Sequence, residues 1–169
     1  MTVSLTELSE ADAEHLRRCI ELAAEALEAG DEPFGSVLVD PSGTAVFEDR
    51  NRVSGGDRTR HPEFEIARWA VANMTPEDRA RSTVYTSGEH CPMCAAAHAW
   101  VGLGPIIYAT GTEQTRSWYD DWGIESGPVS PLPIRQVGPG IEVRGPVEEL
   151  AAEVRGLHAR MLGISDELS

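Results

Sequence analysis

Thr86-Ser87-Gly88-Glu89-His90-Cys91-Pro92-Met93-Cys94 is the stretch on which the reading of this chain turns, together with His61-Pro62-Glu63 upstream of it. Each segment places a metal-binding side chain directly before a proline. Proline is favoured at the first position inside a helix, because the N–H it lacks would have no partner there. His61 and Cys91 are therefore expected at helix caps, with Glu63 and Cys94 in the first turns. A helix N-terminus carries partial positive charge and unpaired N–H groups, which lower thiol pKa values and favour the thiolate that zinc binds. His61, Cys91 and Cys94 then supply three zinc ligands and leave a fourth corner for water, the arrangement of a catalytic rather than a structural site. Glu63, two positions from His61, is placed to take and return protons beside the metal without being a ligand.

Working outward, Ser9 and Asp12 read as a capping pair for a first helix, with Leu16, Ile20, Ala23 and Leu27 at helical spacing and Gly30 as its stop. Phe34 to Val39 and Ala45 to Glu48 read as a hairpin turned by Asp40, Pro41, Ser42 and Gly43. A second helix is expected from Pro62 to about Met74, a strand from Thr83 to Thr86, a third helix from Pro92 to Val101 and a strand from Ile106 to Ala109. Beyond these, Thr112 to Tyr119 reads as a helix, Pro131 to Val137 as an edge strand, and Pro146 as the start of a last helix with Val147, Leu150, Val154, Leu157 and Met161 on one side. Strands alternating with helices argue for an α/β sandwich, with helices on both faces of a mixed sheet.

The length of 169 residues suits one domain spanning the whole chain, residues 1–169. No apolar run is long enough to cross a bilayer, and the acidic start from Thr6 to Glu14 lacks the basic and apolar regions of a signal peptide, which points to the cytoplasm. A net charge of −14 works against a long nucleic acid as partner, because such binding draws its affinity from Lys and Arg neutralising phosphates. Three cysteines, two of them in Cys91-Pro92-Met93-Cys94, cannot make an even disulfide framework, so a metal role is favoured for the pair and ordinary burial for Cys19.

The His61-Pro62-Glu63 and Thr86 to Cys94 segments resemble the zinc signature of the cytidine deaminase-like superfamily. The second segment is most similar to bacterial guanine deaminases and their nucleobase or nucleoside deaminase relatives. The similarity runs from Pro33-Phe34-Gly35-Ser36-Val37 through Asn51-Arg52-Val53 to about Ile124. It implies a three-layer α/β/α sandwich with a five-stranded mixed sheet, commonly a homodimer. The activity it implies is zinc-dependent hydrolytic deamination of a small amino-nucleobase or nucleoside, a guanine-like aminopurine first and a cytosine-like ring second. It also implies that Asn51 bonds the base, that Phe34 lies beside the ring, and that the Tyr119-Asp120-Asp121-Trp122 run covers the pocket, with Asp121 and Trp122 against the substrate. His90 stands where the family pattern has proline, adding an ionisable ring beside the metal, and Pro62 stands where alanine is commoner.

Other readings compete. His98, one turn after Cys94, would close the zinc site and make it structural, as in a non-catalytic interaction module. Arg50, Arg52, Arg58 and Arg60 precede the second helix and would suit a phosphate clamp for a deoxycytidylate-type nucleotide, if they are not merely a solvated loop. A tRNA adenosine deaminase would carry related motifs but calls for a basic surface. His15 and His158 read as surface groups, Trp69 and Trp100 as core, Glu89 as a partner for an arginine, and Trp118 with Trp122 as a pocket lid or a dimer contact.

Overall fold

The computed structural model describes residues 2–165. Its five strands are β1 (Gly35–Val39), β2 (Ala45–Arg50), β3 (Thr83–Gly88), β4 (Ile106–Thr110) and β5 (Val143–Arg144). They lie in the order β2-β1-β3-β4-β5, with β1 antiparallel to β2 and β3, and β3, β4 and β5 parallel. The helices are α1 (Glu10–Glu28), α2 (Pro62–Asn73), α3 (Pro76–Ala80), α4 (Pro92–Val101), α5 (Thr112–Asp121), α6 (Ile134–Val137) and α7 (Ala151–Leu162).

Alternation along the strands builds two cores, one on each face of the sheet. Val37, Val39, Tyr85, Ile107 and Ala109 face α1, α5 and α7, while Leu38, Val84, Ile106 and Tyr108 face α2, α4 and α6. The α/β/α sandwich and its five-stranded mixed sheet are thus present as the sequence implied. Gly35 is what lets α1 lie so close: a Cβ there would stand 2.4 Å from the Cys19 carbonyl oxygen and 2.4 Å from Leu22 Cβ. Among the described residues, no helix is long and apolar enough to cross a membrane.

Two expectations about elements are corrected. The segment Pro131 to Val137 is no edge strand: residues Ile134–Val137 form the short α6, with Ile134 buried in the second core. The edge is instead the two-residue β5, pairing Val143 with Ile106. The last helix begins at Ala151, not Pro146, because the Val147 amide donates to the Ala109 carbonyl and is held at the sheet.

Side-chain placement also differs in part. Trp100 is 89% exposed, whereas Trp118 is buried in the first core and so serves neither as lid nor as a contact surface. Trp69 stacks on Phe47. His15 is half-buried against Tyr85, and His158 is fully buried beneath α5 rather than at the surface.

Burial lowers the pKa values of both His98 and His158 to about 4. Each ring is therefore neutral in the folded chain, and on acidification the unfolded chain takes up protons first, below its ordinary histidine value of about 6.5. A depressed folded-state value means stability that is complete above that ordinary value and is lost as pH falls through the window toward 4. Each group contributes a slope of about 1.4 kcal/mol per pH unit there. Urea midpoints measured from about pH 7 down to about pH 4.5 should fall accordingly, and His98→Gln should flatten the decline by one proton. An unchanged slope in that variant would show that His98 does not titrate on unfolding.

Candidate functional site

Pro62 and Pro92 open α2 and α4, with His61 and Cys91 as the respective caps. Both helices start at the same end of the sheet, so their first turns converge. His61 Nδ1 lies 3.6 Å from Cys91 Sγ and 3.6 Å from Cys94 Sγ, and the three donor atoms all lie within 4.8 Å of one another. A tetrahedral zinc with bonds of about 2.1 Å to nitrogen and about 2.3 Å to sulfur sets nitrogen and sulfur about 3.6 Å apart, so the donor set fits the ion. The Cys94 hydrogen bond, and then His61, hold the Cys91 thiol down to about 4, while its place in that pair and its burial push Cys94 up. One thiolate is thus ready before metal arrives.

The competing fourth ligand lies elsewhere. His98 Nε2–H donates to the Gly104 carbonyl at 2.7 Å and stands outside the cluster of His61, Cys91 and Cys94. The closed, structural arrangement therefore lacks its fourth group among the described residues.

Glu63 is buried beside these ligands. Its Oε1 accepts from Thr86 Oγ1 at 2.9 Å and from Ser36 Oγ at 3.1 Å. Ser36 and Thr86 are partners in the antiparallel pairing of β1 and β3, so strand register brings the two hydroxyls to one carboxylate oxygen. That oxygen is fixed, and Oε2 is left clear of the pair. Burial raises the Glu63 pKa from the ordinary carboxylate value, toward the range where one group both takes and gives a proton. Sequence reasoning missed Ser36 and Thr86. The available signal was a hydroxyl inside a strand with no exposed position, where a polar group must find a partner.

A cavity of about 280 Å³ opens over Glu63 and the ligands. Phe34, Tyr119 and Asp120 form its wall, and the stretch 124–132 forms most of its roof. Phe34, which the family resemblance sets beside the substrate ring, lines this cavity. Within the acidic run it is Asp120 that lines the cavity, and Asp121 is exposed on another side of α5, because successive helical residues point about 100° apart. Trp122 is not in the wall but packs against Tyr119 at 5.9 Å, under the Arg155 guanidinium. His90 is buried behind the site and meets His98 edge-on at 5.4 Å, so it too lies off the lining. Asn51 is buried, with Oδ1 accepting the Val53 N–H at 3.1 Å and Nδ2 without a partner among the described residues.

The four loop arginines are each engaged: Arg50 with Asp31, Arg52 with Asp49, Arg58 with Glu32 and Arg60 with Glu65. They form no cluster free to clamp a phosphate. Among the described residues, Glu89 pairs with no arginine, contrary to the expectation from sequence. Its two oxygens accept the backbone N–H groups of Thr112 and Ile134, each at 2.8 Å, which ties the start of α5 to the start of α6.

Residues 9–110 match the cytidine and deoxycytidylate deaminase zinc-binding region. The chain is 33% identical over 153 residues to a probable cytosine deaminase of Schizosaccharomyces pombe, covering 83% of this chain and 91% of that protein. It is 34% identical over 109 residues to a guanine deaminase of Bacillus subtilis, covering 63% of this chain and 69% of that one. The fold is similar to a solved guanine deaminase from Nitrosomonas europaea, with a TM-score of 0.65 at 19% identity over 94% of this chain and 87% of that one.

Proposed function

The chain belongs to the cytidine and deoxycytidylate deaminase family, hydrolases that act on C–N bonds with a zinc-binding region, and we propose from that premise that it deaminates a free amino-nucleobase, a guanine-like aminopurine first. The observation that carries the reading is the convergence of His61, Cys91 and Cys94 beside a buried Glu63 at the floor of one cavity. Zinc, when held by these three residues, supplies the Lewis acid that makes a water nucleophilic near neutral pH.

The remaining work falls to the chain. Glu63, with Oε1 held by Ser36 and Thr86, takes the proton of the attacking water on Oε2 and hands it to the ring nitrogen. The same carboxylate then takes the remaining hydroxyl proton of the tetrahedral carbon adduct and passes it to the amine, so that the C–N bond breaks as C=O forms and ammonia leaves. Phe34 and Tyr119 supply flat apolar surface for the ring, and the roof excludes bulk water. Asp120 and Glu125 present carboxylates to the cavity, acceptors suited to the amino and ring N–H donors of a guanine-like edge. Asn51, with its Nδ2 unpartnered among the described residues, lies off the cavity lining and is not counted among the ring contacts.

The paired loop arginines favour a ring without phosphate, and the charge of −14 weighs against RNA. Zinc-loaded protein incubated with guanine, 2,6-diaminopurine, cytosine, adenine, guanosine and deoxycytidylate should release ammonia fastest from the aminopurines. Silence across all six would remove the deaminase reading, and a preference for deoxycytidylate would replace the free base by a nucleotide.

Self-association belongs to the same proposal. Trp100 is 89% exposed and borders a groove of about 720 Å³ with Ala96, Ala99, Leu103 and Ile141, on a helix that is apolar on all sides. An exposed tryptophan beside a groove is the kind of anchor that protein interfaces bury. Light scattering should give the mass of a dimer for the native chain and of a monomer for Trp100→Glu. A native monomer would end this part of the reading.

A further inference from the structure

Behind the aromatic wall of the cavity sits an imidazole to which the deamination chemistry gives no task. His158, on α7, is fully buried, and its Nδ1 lies 2.8 Å from Tyr119 Oη. The ring meets Phe34 edge-on, with centroids 5.1 Å apart and planes at 78°, and meets Tyr119 at 5.7 Å and 63°. Phe34 and Tyr119 both line the cavity. On its other side Phe34 rests on Gly88, where a Cβ would come within 3.1 Å of Phe34 Cε1. Phe34 is therefore wedged between β3 and His158, and Tyr119 is tied to the same imidazole.

The proton on that imidazole decides what Tyr119 can offer. Burial keeps the His158 ring neutral, with its pKa lowered to about 4, and raises Tyr119 to about 12, so His158 carries one N–H and Tyr119 keeps its hydroxyl hydrogen. If Tyr119 donates to Nδ1, the His158 hydrogen sits on Nε2, which is buried among aromatic rings with no partner among the described residues. Nε2 has no partner among the described residues in either tautomer, and of the two orphans, a buried N–H and a bare lone pair, the buried N–H is the rarer in folded proteins. The opposite arrangement puts the hydrogen on Nδ1, where Tyr119 Oη accepts it. The tyrosine hydroxyl hydrogen is then released from His158.

We propose that His158 is a positioning residue for ring binding, which donates Nδ1–H to Tyr119 Oη, turns the Tyr119 hydroxyl hydrogen toward the cavity as a donor to a substrate acceptor, and braces Phe34 from behind. The proposal rests on the deaminase reading for its substrate but not for its geometry. An aromatic ring with a C=O or an unprotonated ring nitrogen is the ligand chemistry such a donor recognises.

The test has two arms. Long-range proton–nitrogen correlation spectra of the native, zinc-loaded protein report which His158 nitrogen carries hydrogen, and need neither a variant nor turnover. The Nδ1–H form is expected, and the Nε2–H form would overturn the proposal. In the second arm, His158→Phe keeps a ring and removes the donor. KM is expected to rise about tenfold with kcat within about threefold and zinc content unchanged, and His158→Asn, which retains a donor near Nδ1, should recover part of the loss. Tyr119→Phe should raise KM alike, and the two losses should not add in the double variant. An unaltered KM in a folded His158→Phe, or strictly additive losses, would overturn the proposal. The same comparison is read from the calorimetric Kd of 8-azaguanine in a Glu63→Gln background. If the native protein releases ammonia from no ring, the deaminase reading fails, while the nitrogen spectra still decide the state of His158.

Discussion

Glu63→Gln is expected to keep its zinc and to lose turnover by about a thousand-fold or more, the scale of a removed general acid–base group. The amide matches the carboxylate in shape, and its Oε1 still accepts the hydroxyls of Ser36 and Thr86. Packing and metal site are therefore preserved. Only the capacity to accept and return a proton disappears. Zinc content by atomic absorption and ammonia release under single-turnover conditions separate the two effects. A Gln variant working within about tenfold of the native rate would remove Glu63 from the proton path and favour a structural role for the metal.

Cys91→Ala is expected to lose both metal and activity, and to melt earlier than the native chain. His61 and Cys94 alone leave two donors where a stable site calls for three, and metal binding free energy is also folding free energy. The variant should bind zinc at well under half the native stoichiometry, read by atomic absorption after dialysis, and should gain little melting temperature from added zinc. Full zinc occupancy in Cys91→Ala would mean that another residue completes the site. The two substitutions thus differ in kind: one empties the centre, the other silences it.

The parts of this molecule that could be read from sequence are those decided within a few neighbouring residues. Helix α4 runs from Pro92 to Val101 as expected, because the proline opens it and Gly102, at φ +70°, closes it. Helix α1 begins after the Ser9 and Asp12 capping box for the same kind of reason. The zinc donors were legible because each sits at a fixed step from a proline. Elsewhere the decision was made at a distance. Ile134 begins a helix where a strand was expected, since its amide is taken by Glu89 from across the molecule and its side chain by the second core. Strand β5 spans two residues, too few for any alternation to be visible. Ser36 and Thr86 meet only through strand register, and His158 reaches Phe34 and Tyr119 only because α7 docks against α1 and β4.

Glu89 also says something about how a catalyst of this build changes its tastes. With one oxygen on Thr112 and the other on Ile134, a single carboxylate two residues ahead of Cys91 moors both ends of the stretch that carries Tyr119, Asp120 and the roof. Trp118 anchors α5 in the first core, so the part that can be rewritten, lengthened or exchanged without disturbing the moorings or the floor beneath is the stretch 122–132. Under the proposed reading, diversification of residues 122–132 alone is expected to shift ring preference on an unaltered engine.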